Sequence, residues 1–187
     1  MKASRKNLFT DGASGSARNM TITQRKSGKQ IISSRRGASE KPLTEKQLAA
    51  KEKFMQAVTY AKSVMENPEK TALYQAAVQP DQSAYALAVR DASRPPKVNA
   101  INTVEYTGQI GESIIVRATD DFKVALLRVF IYNPDGELLE KGDGVPQENN
   151  LDWTYTITQA NANLTGTKIM ATATDLPGNT GSLEITL

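Results

Sequence analysis

The chain contains no cysteine and no histidine. These two gaps together remove disulfide staples, thiolate nucleophiles, imidazole bases and the usual zinc ligands. Any catalysis would have to rest on carboxylates, lysine, serine or tyrosine. Long apolar runs are missing too. The opening MKASRKNLFTDGASG is basic but leads into no hydrophobic stretch, so neither a secretory signal nor a transmembrane helix is expected. With no cysteine to acylate, lipoprotein attachment is not expected either. The expected setting is therefore the cytoplasm or a particle assembled inside a cell, with no export by a visible signal and no membrane partner.

What is present is unevenly spread. The net charge of +3 hides a steep split: residues 1–41 carry ten Lys/Arg against two acids, residues 42–96 seven against six, and residues 97–187 six against twelve. A basic arm thus precedes a near-neutral segment and an acidic one. Its 187 residues suffice for two small units and a tail.

Residues 1–41 are rich in Ser, Gly, Lys and Arg and hold too few large apolar residues to bury a core. Within them, Met20–Lys26 and Lys29–Arg35 flank Ser27-Gly28, which predicts a β-hairpin with a two-residue turn. Such a hairpin is marginal alone in water, so another surface is expected to hold it. Arg18, Ile22, Arg25, Lys26, Lys29, Ile31, Arg35 and Arg36 are the residues expected to contact a neighbouring subunit or nucleic acid.

Residues 42–93 read as a helical module. Thr44 and Gln47 form a capping box, with Leu43 and Leu48 placed as a hydrophobic staple, and Phe54, Val58, Ala61 and Met65 recur on one face. The spacing predicts a first helix over Glu45–Glu66. Asn67-Pro68 opens a second, and Pro80-Asp81 is expected to open a third, from Gln82 to about Asp91. Arg94-Pro-Pro, residues 94–96, is a stiff linker in which the helix pattern ends.

Residues 97–187 alternate apolar and polar side chains in about seven runs: Val98–Tyr106, Glu112–Ala118, Val124–Tyr132, Glu137–Lys141, Leu151–Thr158 and a closing pair within 166–187. Leu151, Trp153, Tyr155 and Ile157 alternate with Asp152, Thr154, Thr156 and Thr158, so one face is expected buried and the other wet, with Trp153 as the core anchor. In the run 124–132, Ala125, Leu127, Val129 and Ile131 form one face, while Leu126, Phe130 and Tyr132 make the other apolar as well. That second face asks for cover from the helices or the arm, or offers a docking face for another subunit.

In the closing pair, Ala173-Thr174-Asp175 precedes Leu176-Pro177-Gly178-Asn179, and this A-T-D-x-x-G-N pattern resembles the end of bacterial immunoglobulin-like domains. The resemblance covers about half the chain. It implies a fold, an immunoglobulin-like β-sandwich, and no particular activity. The expected fold class is mainly β with a small α module: a basic arm with a hairpin, three short helices and that sandwich.

Chemistry is thinly represented. Asp120-Asp121 with Asp175 and Asn179 supply oxygen ligands at strand ends, as calcium requires, yet backbone bonding within the turns accounts for the same residues. Lys123 with Tyr132, or Ser113 with Lys168, can be paired on paper without support from spacing. No catalytic residue, cofactor or metal is predicted. The arm's cations suit phosphates, but Phe9 is its one aromatic for stacking and it matches no base-reading motif. The leading expectation is a non-enzymatic structural or assembly protein of a large multi-subunit particle, such as a phage virion or phage-tail-like machine, whose arm tethers it to neighbours; this rests on fold-level analogy. The alternative is a nucleic-acid-binding protein using the basic arm. A third is a surface adhesive or glycan-binding module.

Overall fold

The computed structural model describes residues 13–25, 27–34, 37 and 42–187. The protein is mainly β with three helices. No helix among the described residues is long and apolar enough to cross a membrane.

The arm carries three antiparallel strands, β1 (Gly15–Ala17), β2 (Met20–Gln24) and β3 (Gln30–Ser34), in that spatial order. The expected β2–β3 hairpin is present, with Ile22 opposite Ile32. Its turn is longer than two residues. Arg25 N–H donates to the Lys29 carbonyl and Gly28 N–H to the Arg25 carbonyl, with Gly28 at φ 80°, so a turn followed by a left-handed glycine closes the hairpin. Strand β1 was not foreseen, because Gly-Ser-Ala has no β-forming side chains; it is carried by pairing to β2.

Helix α1 (Glu45–Glu66) starts where the capping box places it, with both reciprocal bonds between Thr44 and Gln47. Asn67 caps α2 (Pro68–Ala77), accepting from Lys70 N–H. The third start differs from expectation. Ser83, not Pro80-Asp81, caps α3 (Ala84–Ser93), and Asp81 sits at φ 67° in the preceding turn, where its carboxylate accepts from Ser27 N–H of the arm at 2.9 Å. Ala61, Val64, Tyr74, Leu87 and Ala88 close a small core between the helices.

The acidic segment forms two four-stranded antiparallel sheets. One has the order β4 (Lys97–Asn102), β5 (Ser113–Thr119), β9 (Asp152–Thr156), β8 (Val145–Pro146); the other β11 (Thr180–Thr186), β10 (Lys168–Asp175), β6 (Val124–Tyr132), β7 (Leu138–Asp143). Ile114, Val116, Trp153 and Tyr155 from the first meet Leu127, Val129, Ile131, Ile169 and Ala171 from the second in one core. Burying such side chains is worth roughly 1.5–3 kcal/mol each before entropy is charged.

Three details depart from the sequence pattern. Ala125 is left over by a bulge, since Thr174 pairs with Leu126 but Asp175 with Val124, so Ala125 is exposed and Val124 takes its inward place. Leu151 precedes β9 and is exposed. Asp152, expected on the wet face, is buried because Arg117 grips it with two bonds of 2.7 and 2.8 Å. Pro95-Pro96 lies against the second sheet: a Cβ on Gly181 would come within 1.9 Å of the Pro96 carbonyl oxygen. Only glycine permits that approach.

Candidate functional site at the helix–sheet seam

The helices meet the sheets at one end of the two-sheet unit, where α3, the β5–β6 loop and the β10–β11 turn converge. Phe122 of the loop stacks on Tyr74 of α2 with ring centroids 4.3 Å apart. Arg94 Nη1 lies 3.1 Å from Asp121 Oδ2, and Arg90 Nη2 donates to the Asp121 carbonyl. Across the seam, Asn179 Nδ2 donates to the carbonyls of Ala92 and Asp91 at 3.3 and 3.5 Å. The residues 94–96 therefore join two units that are in contact.

Three carboxylates gather there. Asp91 on α3, Asp120 after β5 and Asp175 at the end of β10 place oxygen atoms within 4.8 Å of one another, with Asp91 and Asp175 buried and Asp120 half-buried. Each is held differently. Asp175 accepts from the Gly178 and Asn179 N–H groups and from Asn179 Nδ2. Asp120 Oδ2 accepts from Phe122 and Lys123 N–H. Asp91 Oδ2 accepts from the Tyr74 hydroxyl at 2.5 Å, and that hydroxyl lies 3.1 Å from the Tyr60 hydroxyl. The second oxygens of Asp91 and Asp120 are buried with no hydrogen-bond partner among the described residues.

The charge balance of this cluster is poor. Burial, opposed by the Tyr74 bond and reinforced by Asp120 and Asp175 nearby, pushes the Asp91 carboxyl up to about 7. Burial likewise raises Asp175, against the pull of its Asn179 and Gly178 donors. The Tyr74 hydroxyl is pushed up as well, first by burial and then by its bond to Asp91. The arginines at the seam, Arg90 and Arg94, are engaged with Asp121 instead. Glu140 is also buried: its Oε2 collects the Tyr155 hydroxyl, the Thr158 N–H and hydroxyl, and the Gln159 N–H, while its Oε1 is, like the second oxygens of Asp91 and Asp120, buried without a partner among the described residues.

The oxygen set foreseen from the sequence is thus changed in membership. Asp120 and Asp175 come together; Asp121 turns to the arginines, Asn179 acts as a donor, and Asp91 enters from the helical module. No sequence signal marks Asp91, a single acid on a short helix 29 positions before Asp120. Asp120 also lines a cavity of about 590 Å³ bounded by Phe122, Lys123, Leu151 and Trp153.

The other foreseen residues lie elsewhere. Arg18, Arg25 and Lys29 are exposed on the arm, Arg18 at φ 46°, while Ile22 and Ile31 are half-buried on β2 and β3. Lys26, Arg35 and Arg36 lie outside the described residues. Leu126, Phe130 and Tyr132 share the outer face of β6, half-buried, with Phe130 beside Met170 and Lys141 and Tyr132 beside Lys168. Of the paper pairs, Lys123 and Tyr132 stand towards opposite ends of β6, Ser113 Oγ donates to Glu105, and Lys168 Nζ lies 3.7 Å from Glu184.

No protein-family model matches the chain, and no curated protein matches it. Among solved structures, the chain is similar to an engineered protein whose crystal structure was determined at 1.98 Å, with 17% identity and a TM-score of 0.36 over 57% of this chain. The match spans 29% of that protein's length.

Proposed function

We propose that the acidic unit is an immunoglobulin-like domain and that the chain is a non-enzymatic structural or assembly protein of a multi-subunit particle, of the kind found in phage virions or phage-tail-like machines. Strand order supports the first part. With β4 to β11 taken as strands A, B, C, C′, D, E, F and G, the sheets read A-B-E-D and G-F-C-C′, the order of an immunoglobulin sandwich.

The observation that carries the second part is the arm's sheet. Among the described residues its strands add no side chain to either core, and Met20 and Ile32 are 50% and 54% exposed. The chain joins a basic arm to an acidic domain, the complementarity that favours docking onto a copy or a similar neighbour. Pairing of strands with a partner's sheet edge would add backbone bonds to that attraction. Nucleic-acid binding through the arm is the second reading, favoured by the same cations; a surface adhesive or glycan-binding module is the third.

Native mass and nucleic-acid content of the purified protein separate these readings. The full chain is expected to form a nucleic-acid-free multimer, and the 42–187 chain to be monomeric and folded. A monomeric full chain that retains nucleic acid in about 0.2 M salt, where phosphate contacts have lost roughly 10³–10⁵ in affinity, would replace the assembly reading with the second.

A further inference from the structure

We propose that the seam is a calcium site, in which Asp91, Asp120 and Asp175 bind one ion that clips α3 to the ends of both sheets. The inference is independent of the assembly reading. Its first support is spacing. Calcium binds oxygens at roughly 2.3–2.6 Å, so two oxygens on opposite sides of one ion stand about 4.6–5.2 Å apart. The three carboxylates place oxygens within 4.8 Å of each other, close enough for a single ion to touch all three.

The second support is the lack of a donor. Asp91 is wholly buried, and beyond the Tyr74 hydroxyl on its Oδ2 its side chain meets the Asp120 carboxyl; the Oδ1 atoms of both are buried with no donor among the described residues. A buried carboxylate oxygen left without a donor is unfavourable unless a countercharge or a proton meets it. No ion pair among the described residues reaches Asp91, Asp120 or Asp175, because Arg90 and Arg94 both serve Asp121. A cation supplies what the side chains do not.

Donor chemistry selects the ion. With carboxylates alone and no histidine or cysteine anywhere in the chain, a hard, oxygen-seeking cation is required. Calcium tolerates irregular sets completed by water or carbonyl oxygens, whereas magnesium demands near-octahedral geometry at shorter distance. The ligands come from α3, from the end of β5 in one sheet and from the end of β10 in the other, so one ion ties three elements.

The test is a calcium chloride titration of the chelator-stripped full-length protein, followed by melting temperature, with magnesium chloride in parallel. Tm is expected to rise with the logarithm of calcium concentration beyond the dissociation constant, and less with magnesium. Asp120→Asn keeps an oxygen for the Phe122 and Lys123 N–H groups, so the fold survives; its apparent calcium affinity is expected to fall at least tenfold. Asp121→Asn is expected to retain the full response. The proposal is overturned by a parent chain whose Tm ignores calcium and chelator, a result that would make a proton shared between Asp91 and Asp120 the countercharge. It is equally overturned by an Asp120→Asn chain that responds like the parent, or by an Asp121→Asn chain that loses the response.

Discussion

The arm's three-stranded sheet and the two-sheet unit are made from the same kind of segment, short runs with alternating apolar side chains, and they end in opposite states. In the two-sheet unit each inward side chain meets a second layer: Val116 and Trp153 on one sheet face Leu127 and Val129 on the other, and all are buried. In the arm, Ile22 and Ile32 sit opposite one another and join neither core among the described residues, and Ile32 stays more than half exposed. Both are paired through backbone ladders. What differs is the partner for the apolar face, which is why a sheet of two or three strands gains little stability alone while two stacked sheets form a domain.

The comparison can be broken most directly at Trp153. Trp153→Ala in the full chain is expected to lower stability by about 3–5 kcal/mol, the usual cost of emptying a large aromatic site. Denaturant unfolding measures it. Trp153→Phe is expected to cost much less, because it keeps most of the apolar contact and deletes an indole N–H that is buried without a partner among the described residues. A silent Trp153→Ala would mean that the two layers do not depend on each other and would remove the contrast with the arm.

How much of this arrangement was legible in the sequence depended on the range of the forces involved. Local signals were read correctly at Thr44-Gln47 and Asn67-Pro68, where capping is decided within four residues. The strand run 124–132 and the turn at 175–179 were equally plain from alternation and turn residues. Strand β8 escaped because Val145-Pro146 is two residues long and its proline permits an edge position alone. Asp152 was misjudged because its partner Arg117 lies 35 positions away. For the same reason the seam was half seen: Asp120 and Asp175 advertise themselves as turn residues, whereas Asp91 acquires meaning through packing that joins a helix to two sheets.

A smaller effect sharpens the comparison at the rim of the two-sheet unit, where ionic contacts replace core. The bond from Arg117, helped by Asn149, holds the Asp152 carboxyl down at about 2. Its folded value is thus below the ordinary unfolded value near 3.9, so the stabilisation is full above about pH 4 and is lost as pH falls through about 2. Arg117→Met is expected to lower Tm by a constant, modest amount above about pH 4. The gap to the parent protein should narrow as the pH drops further and close near pH 2. A gap that persists at the acid end would mean that Arg117 acts by packing its stem rather than through Asp152.

The smallest effect is expected in the arm, and it is the one that separates local pairing from global stability. Proline at position 22 removes the N–H of a β2 residue whose neighbours pair with β1 on one side and β3 on the other, so Ile22→Pro should disrupt this sheet. Inside either sheet of the acidic unit such a change would cost several kcal/mol, because lost pairing would also dislodge buried side chains. Among the described residues the arm adds no side chain to either core, and its Ser27 N–H donates to Asp81 in the turn before α3. The global melting temperature is therefore expected to shift by no more than the scatter of surface substitutions, about 0.5 kcal/mol or less, while hydrogen exchange in Thr21–Gln24 and Gln30–Ser34 accelerates to the rate of open chain. Should Ile22→Pro instead lower the main unfolding transition by several kcal/mol, the arm would have to be part of a core after all. The difference between the two kinds of sheet would then lie in the residues that cover them, not in whether they are covered.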